Sequence, residues 1–588
     1  MNTIDAAIVV LYFASMLGLG FWYQRMAAKN LESYFLGGKQ IHWLALAMSG
    51  SVSNFDITGT MWIVALIKLF GMKSMWNHWM WGFLMGAFFL SFMGKWIRRS
   101  GVMTGAEWMV TRFGNGAAGK TARAAYALIA VVTMVAFVGY AFQGIGKFCS
   151  VYVDIDQDYC AMVIFAVTTT YVMLGGLYSV VITDVIQTIV LTLAAVAIMF
   201  VAYTHVTPEV IAELFPADWS SLLPPWRLSG EQLEQIQGTA YGEYELFGML
   251  VIMWVLKGLL LNLGGPAQMY DFQRFLAAKD PRDAAKVGAA WSVFLVVRWG
   301  MAMGIALLAI VGLQHVTDPE KLMPAVLQTY LPVGIRGVVI AGLLAAFMST
   351  FSSTVNGGAA YIVRDLWQPF VKPNADDHHL IRASYIATIT IVVSGTLIGL
   401  YSESIHVIYN WIMVALGAAF AIPNVLRWFW WRLNGWGYAI GTLVGLIAAI
   451  TAPMVPELKP SYYMFPFVSI VSLIGTFAGT WLTEATDKET LLAFYKHIRP
   501  FGFWGPIRAE AAPTLDAEQM RGEGAGLATV NTLLGLVAIS GAYLAPMYLV
   551  SHNHSSATVC AAAAAIAVIA LKFTWYNNLP SPEPVSEE

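Results

Sequence analysis

Apolar residues occur along this chain in long blocks that short polar segments separate. A helix that crosses a membrane needs about 20 predominantly apolar residues, and roughly fifteen blocks meet or approach that length. We place them at about 4–24, 42–70, 74–97, 121–148, 158–174, 176–203, 244–267, 288–314, 335–363, 382–402, 405–426, 436–454, 463–483, 525–550 and 556–574. Only Gly175-Gly176 separates the fifth block from the sixth. The pattern predicts an all-α polytopic membrane protein with about 15 transmembrane helices.

Composition supports a membrane protein and excludes several other classes. The 588 residues are 58% hydrophobic and 12% charged, whereas a soluble domain is about 25% charged. The net charge is −2, so the chain lacks the basic field that attracts nucleic acid. The 3 cysteines have neither zinc-site spacing nor the density of a disulfide framework. An ordinary soluble enzyme, a disordered chain and a nucleic-acid-binding protein are therefore excluded.

The distribution of lysine and arginine predicts the orientation. Basic residues concentrate on the cytoplasmic side of membrane proteins, and most of the 33 in this chain lie in alternate loops if the N-terminus is outside. The loop 204–243 then lies outside, and its charged residues are acidic except for Arg227. The first block has no basic segment before it, which favours a retained span over a cleaved signal peptide. We expect an integral protein of the bacterial inner membrane with a cytoplasmic C-terminus.

Two blocks at matching positions contain helix-breaking residues at membrane depth. The second block reads AMSGSVSNFDITGTMWIV, and the seventh contains Gly264-Gly265-Pro266, where proline lacks an amide donor. Five spans separate the two elements, which run in opposite directions across the membrane. Non-helical backbone at this depth is tolerated only where protein or a water-filled cavity covers it. The pair predicts a five-plus-five inverted repeat with a solute and ion site at the midplane. The alternative is two kinked structural helices.

Seven regions follow from the blocks and the repeat. We interpret them as an N-terminal extra helix with a cytoplasmic loop (1–41), the first inverted repeat (42–203), an extracellular loop (204–243), the second inverted repeat (244–426), two flanking helices (427–483), a cytoplasmic loop (484–524) and a C-terminal helical hairpin with a tail (525–588).

Small polar residues in the ninth block lie on one helical face. Ala346, Ser349, Thr350 and Ser353 follow one another at helical spacing, and Ser352 lies close to them. Hydroxyl groups and carbonyls are hard oxygen donors that suit a sodium ion. The alternative is a packing face, because small residues let helices approach closely.

Charged residues inside the other blocks are candidates for function. An intramembrane carboxylate is costly and marks a functional site by default, and Asp184 lies within the apolar sixth block. No lysine or arginine occurs between Lys147 and Arg227, so an ion held by the ninth-block hydroxyls is its candidate partner. Asp56 lies in the first broken helix. It either takes part in solute or ion binding or forms a structural ion pair with Arg298 or Lys257.

Four segments resemble those of the sodium:solute symporter family, which contains sodium/glucose, sodium/proline, pantothenate and sialic acid transporters. They are GSVSNFDITG (50–59), GGLYSVVITDVIQ (175–187), QRFLAAKD (273–280) and AAFMSTFSS (345–353), and the similarity covers about residues 1–500. The resemblance implies a leucine-transporter-type inverted repeat with flanking helices. It also implies a sodium-coupled symporter that imports a small polar organic solute by alternating access.

The family's sodium ligands carry over to matching residues of this chain. For the principal site, the resemblance implies the carbonyls of Asn54 and Ile57 together with Ala346, Ser349 and Thr350. Some members hold a second sodium ion with an aspartate and three hydroxyls. In this chain those positions are Asp184, Ser349, Ser352 and Ser353. We therefore expect one Na⁺ site, with a second implied by the intact donor set.

The solute is less defined by the resemblance than the ion. Compared with the bacterial sodium/galactose transporter, polar sugar contacts fall on apolar residues such as Met61, Leu261 and Leu295, and the aromatic inner gate falls near Gly264. Only Asn410 in the eleventh block keeps an amide where that transporter has one. We assign the solute site to this residue, to the gate position and to polar residues of the second and third blocks: Asn410, Gly264, Asp56, Asn77 and His78. A sugar or sugar derivative is the first expectation, and an amino acid or organic acid is the alternative.

Two other classes of function compete with transport. No metalloprotease, serine-hydrolase or phosphate-loop motif occurs in the sequence, so we do not expect an enzyme. A non-transporting membrane sensor is disfavoured because no soluble signalling domain follows residue 574. The expected partners are a small solute, sodium and the lipid bilayer, with no nucleic acid.

Overall fold

The computed structural model describes residues 1–27, 41–80, 84–153, 155–216, 218–266, 269–402, 404–515 and 522–581. Regular structure in these residues is helical, apart from an isolated bridge between Trp430 and Phe503. Three stretches lie outside the described residues: 28–40 of the first predicted cytoplasmic loop, part of the predicted loop 484–524, and the last seven residues.

The helices are numbered in chain order. They are α1 (Thr3–Ala27), α2 (Trp43–Asn54), α3 (Ile57–Phe70), α4 (85–99, with a π-helical part at Phe89–Met93), α5 (Trp108–Phe113), α6 (Ala117–Ser150), α7 (Gln157–His205), α8 (Pro208–Leu214), α9 (Glu231–Ile236), α10 (Phe247–Gly264), α11 (Phe272–Leu276), α12 (Pro281–Gly312), α13 (Leu322–Tyr330), α14 (Ile335–Phe370, π-helical at Tyr361–Trp367), α15 (Asp377–Leu400), α16 (Ile405–Phe429, π-helical at Trp411–Leu416), α17 (Gly435–Thr451), α18 (Ser461–Leu482), α19 (Lys488–Ile498), α20 (Gly505–Ala511), α21 (Ala525–Val550) and α22 (His554–Thr574). Short 3₁₀ helices connect several of them, the longest at Gly71–Met80.

Twelve helical segments of the described residues are long and apolar enough to cross a membrane. Three of the fifteen predicted spans are not among them: α1, the segment 74–97 that includes α4, and the first part of α7. The apolar stretch described in α1 is shorter, at Thr3–Leu19, and residues 81–83 of the second segment are not described. The count of fifteen therefore stays a prediction.

Helix α7 combines the predicted fifth and sixth spans in one helical segment of 49 residues. Phe165 packs on Phe351 of α14, with ring centroids 4.7 Å apart, and Ala194 lies beside Gly342 of the same helix. Positions 342 and 351 are about 14 Å apart along a helix, whereas 165 and 194 would be about 44 Å apart if α7 were straight. Helix α7 is therefore bent between these residues and not straight.

Burial separates a central bundle from a lipid-facing periphery. The apolar windows of α14 and of the segment Ile57–His78 are 94% and 89% buried, whereas that of α22 and its continuation is 17% buried. Apolar side chains exposed on the outer helices, such as Ile474 and Ile566, are suited to contact with lipid tails. The polar residues singled out by the sequence belong to the buried bundle.

Both predicted helix breaks are present. Helix α2 ends at Asn54, and Asp56, with extended backbone, caps the start of α3. Helix α10 ends at Gly264 and is followed by Gly265 at φ 122°, a conformation that glycine adopts without steric cost. Phe70 at the end of α3 stacks on Tyr244 before α10, with centroids 4.8 Å apart. The two broken helices therefore run in opposite directions, as an inverted repeat requires.

Candidate functional site

Asp56 organises the first helix break. Its Oδ2 accepts hydrogen bonds from the Gly59 amide and from the Tyr140 hydroxyl, both at 2.7 Å. The first bond satisfies one of the amides that a helix start leaves without a partner. A Cβ atom on Gly59 would overlap Asp56 and crowd Tyr140. Position 59 must therefore stay without a side chain for this contact to form.

Arg298 of α12 extends into the same break. Its Nη2 lies 3.0 Å from Asp56 Oδ1, its Nη1 donates to the Asn54 carbonyl at 2.6 Å, and its Nε donates to Thr60 Oγ1 at 3.2 Å. The arginine side chain is 1% exposed. Of the two pairings that the sequence allows, that of Asp56 with Arg298 is formed. The buried carboxylate is therefore compensated by a cation from α12.

An aromatic layer continues from the break toward the 3₁₀ helix Gly71–Met80. The Tyr140 and Tyr409 rings lie 6.0 Å apart, Tyr409 lies 4.1 Å from Trp62, and Trp62 lies 6.2 Å from His78. His78 lies 4.5 Å from Trp299, the residue after Arg298. Asp56 and His78 therefore border one aromatic cluster. Such a surface can bind a solute through its apolar body and a small number of polar groups.

The other predicted solute residues lie at different depths. Asn410 donates to Glu243 at 2.7 Å and lies 3.1 Å from His406, which accepts from Trp62. Asn77 donates to the Tyr244 hydroxyl at 2.8 Å. These amides flank the aromatic layer.

Gly264 lies elsewhere, against the C-terminal end of α16. Its carbonyl accepts from Arg427 at 3.2 Å and from Trp428 at 3.0 Å. The structure therefore brings Asp56, His78, Asn77 and Asn410 toward one region and leaves Gly264 outside it.

The residues of the predicted principal sodium site meet at the end of α2. Thr350 Oγ1 donates to the Ser53 carbonyl at 2.7 Å and to the Ala346 carbonyl at 3.1 Å. The Asn54 carbonyl is the acceptor for Arg298, and Ile57 begins α3. Ser349 Oγ is buried and interacts with the Asp184 carboxylate, but it makes no hydrogen bond of ordinary geometry to the described residues. The donor set lies at a helix C-terminus, where the helix dipole favours a cation.

The predicted second site contains a cluster that the sequence only partly indicates. Ser49 Oγ donates to Asp184 Oδ2 at 2.5 Å, and Arg274 Nη2 lies 3.9 Å from the same oxygen. Arg274 also donates to Ser353 Oγ at 2.5 Å, while Ser352 donates to the Ser349 carbonyl at 3.0 Å. The Asp184 carboxylate also interacts with Ser349, although its Oδ1 makes no hydrogen bond of ordinary geometry to the described residues. Ser49 and Arg274 are thus additional members of this cluster.

These two additional residues have weak sequence signals. Arg274 belongs to the QRFLAAKD segment, but its neighbours place it with the cytoplasmic basic residues. In the structure it lies on the short helix α11 with its side chain fully buried. Ser49 lies just before the polar part of the first broken helix, and its role depends on a contact 135 positions away.

A buried ion-pair cluster joins α4 to a segment distant in sequence. Glu523 Oε1 lies 2.6 Å from Arg99 and 3.2 Å from Lys95, and the three side chains are nearly fully buried. Burial alone would raise the pKa of Glu523, but the charges of Lys95 and Arg99 lower it to about 2. Arg99 also donates to the Ile498 carbonyl at 3.0 Å. The cluster therefore ties α4 to the segment between α18 and α21.

Comparison with known proteins identifies the family. The model of the sodium:solute symporter family matches residues 34–445, which is well over half of the chain. The chain belongs to the sodium:solute symporter family. It is 23% identical over 502 residues to the osmoregulated proline transporter OpuE of Bacillus subtilis, covering 82% of this chain and 96% of that protein. It is 26% identical over 526 residues to the sodium/glucose cotransporter of Vibrio parahaemolyticus, covering 83% and 92%.

A solved structure supports the fold of this symporter. The chain is similar to the substrate-bound outward-open state of a Na⁺-coupled sialic acid symporter, with a TM-score of 0.65 and 18% identity. The match covers 83% of this chain and 99% of the other. The all-α, leucine-transporter-type fold is thus confirmed, and the chain is an integral multi-pass membrane protein. It is a sodium-coupled symporter and not an enzyme.

Proposed function

We propose that this symporter imports a small polar organic solute with sodium, through a site at the first helix break. The observation that carries the proposal is the arrangement of Asp56 and Arg298 beside an aromatic layer, on a broken helix whose end also provides oxygen donors. A shared broken helix lets ion and solute stabilise the same state, which coupling requires. Inward movement of one sodium ion through 100 mV contributes about 2.3 kcal/mol.

The chemistry of the site restricts the class of solute. A sugar or sugar derivative fits the aromatic layer, and an amino acid or organic acid fits the charged pair. Met61, Leu261 and Leu295 are buried and apolar, which supports the expectation that a galactose-like set of polar contacts is missing. We assign solute contacts to Asp56 and His78, with Asn77 and Asn410 on the outer side. In this proposal Gly264 belongs to the gate that closes the solute site on its inner side.

Two sodium sites are proposed from the donor sets. The principal site uses the carbonyls of Asn54 and Ile57 with Ala346, Ser349 and Thr350, and the incomplete hydrogen bonding of the Ser349 hydroxyl supports it. The second site uses Asp184, Ser349, Ser352 and Ser353, and the interaction between Asp184 and Ser349 supports it. Ser349 belongs to both sets, so the two ions lie close together. We expect them to bind with positive coupling because both stabilise the same state of the symporter, and not because they share a ligand.

Uptake into proteoliposomes tests the function. Purified protein is reconstituted, and labelled D-glucose, myo-inositol, L-proline and sialic acid are supplied with a sodium or a choline gradient at equal ionic strength. We expect one class to accumulate only with sodium, and competition by unlabelled compounds then defines the class. Equal accumulation in choline would contradict sodium coupling. Thr390→Ala, which removes a hydroxyl on the exposed face of α15, is the matched control for hydroxyl removal at the site.

A further inference from the structure

The end of helix α2 is an electrostatically negative position inside the protein. The last carbonyls of a helix lack amide partners within it, and the helix dipole adds negative potential there. The Asn54 carbonyl is the last of α2 and accepts the Arg298 Nη1 donor at 2.6 Å. A guanidinium group therefore satisfies the position that would otherwise attract another cation.

Oxygen donors beside this carbonyl are suited to a metal cation. Thr350 lies against the Ser53 carbonyl at 2.7 Å. Ser349 Oγ is buried and interacts with the Asp184 carboxylate, but it makes no hydrogen bond of ordinary geometry to the described residues. A buried hydroxyl with incomplete hydrogen bonding is costly, so this oxygen is suited to a ligand that completes the site. Hard cations are bound by such carbonyl and hydroxyl oxygens.

We infer that Arg298 is an internal cation that competes with sodium for the Asn54 carbonyl. The inference rests on the proposed principal sodium site and adds a residue from α12 to it. Two positive charges that share one carbonyl repel each other strongly where water is excluded. Sodium binding therefore requires the guanidinium to leave the carbonyl. After it leaves, the guanidinium is still held by Asp56 Oδ1 and Thr60 Oγ1, which lie 3.0 Å and 3.2 Å from it.

Competition for the Asn54 carbonyl affects the step in which the empty symporter returns. A symporter must return empty after releasing sodium and solute, and an empty site would leave the α2 carbonyl without a partner in a buried environment. Arg298 satisfies that carbonyl during the return. When sodium arrives, the guanidinium moves toward Asp56 and changes the charge presented to the solute. Arg298 thereby links sodium occupancy to the geometry of the solute site.

A purely structural role for Arg298 predicts the opposite effect on sodium binding. If Arg298 only holds the break together, removing it disorders the Asn54 carbonyl and weakens sodium binding. If Arg298 competes, removing it frees the carbonyl and strengthens sodium binding. The sign of the change therefore distinguishes the two roles.

Sodium titration of the purified protein in nanodiscs measures that sign without a known solute. Intrinsic tryptophan fluorescence is followed as NaCl replaces choline chloride at constant ionic strength. For Arg298→Gln and for Arg298→Met, of similar length, we expect the half-saturating sodium concentration to fall at least about tenfold. Arg298→Lys keeps the charge, and we expect it to stay within about threefold of the wild type.

Two controls separate the competition from other effects. The double variant Asp56→Asn with Arg298→Gln removes both charges, and we expect it still to bind sodium more tightly than the wild type. A return to the wild-type value would mean that the unpaired Asp56 carboxylate, not the freed carbonyl, caused the gain, and would overturn the inference. So would an unchanged or higher sodium requirement in folded Arg298→Gln and Arg298→Met. A wild-type protein that does not distinguish sodium from choline would instead contradict the proposed function.

Discussion

The substitution Asp184→Asn tests the buried cluster at the proposed second sodium site. Asp184 and Arg274 are 1% and 0% exposed, and the substitution removes the carboxylate while leaving the guanidinium buried. Loss of one partner of a buried ion pair costs about 3–5 kcal/mol. The separation of 3.9 Å is long for a direct pair, and Ser49 and Ser353 also contact Arg274. We therefore expect about 3 kcal/mol of destabilisation, at the lower end of that range.

The assay is thermal unfolding in choline, followed by tryptophan fluorescence, for a complete mutant cycle. Asp184→Asn and Arg274→Gln are compared with the double variant, which removes both charges. Arg274 also acts on the buried Asp271 carboxylate, which the double variant leaves without that cation. We therefore expect the double variant to lose less stability than the two single variants added together. Sodium titration of Asp184→Asn should also lose cooperativity, with a Hill coefficient that falls to about 1 as one ion remains. Single variants as stable as the wild type, or losses that simply add in the double variant, would show that the two charges do not compensate each other.

Three further predictions follow from other parts of the structure. Combined Ser349→Ala and Thr350→Ala substitutions should raise the sodium concentration for half-maximal uptake by about tenfold, as two side-chain ligands are lost; an unchanged sodium requirement in folded protein would remove both residues from the site. Glu523→Gln should destabilise the ion-pair cluster with Lys95 and Arg99 at neutral pH. Since the folded pKa of about 2 lies below the ordinary 4.5, the Glu523 contribution is present above about pH 4.5 and is lost toward pH 2, so melting curves of the two proteins should converge in acid. A tag inserted at Ser555 should react with an impermeant reagent outside intact cells while a C-terminal tag does not, and equal labelling of both would contradict the proposed orientation.

The helix breaks are predictable because their causes are local. Proline and glycine at 264–266 and the polar run around Asp56 interrupt helices wherever they occur, and apolar block length predicts spans. The shared face of Ala346, Ser349 and Thr350 follows from helical spacing alone. These features need no knowledge of distant contacts.

Long-range contacts decide the rest of the site. Arg274 follows a helix break and precedes a basic loop, so its position along the chain indicates a cytoplasmic residue, whereas packing of α11 directs it toward Asp184. The pairing of Arg298 with Asp56 is one of two alternatives in the sequence, since charge alone does not choose between Arg298 and Lys257. Alignment places Gly264 near the solute, but α16 covers its carbonyl. In each case the deciding contact joins residues far apart in sequence.

Equilibrium binding of ²²Na⁺ to the purified protein is the sharpest test of sodium coupling at this site, since it requires no knowledge of the solute. We predict saturable binding that unlabelled sodium displaces and potassium or choline does not. Binding should weaken in the combined Ser349→Ala and Thr350→Ala variant and remain at wild-type strength in Thr390→Ala. Absence of saturable binding to folded protein, or equal displacement by potassium, would contradict a sodium-coupled mechanism at this site.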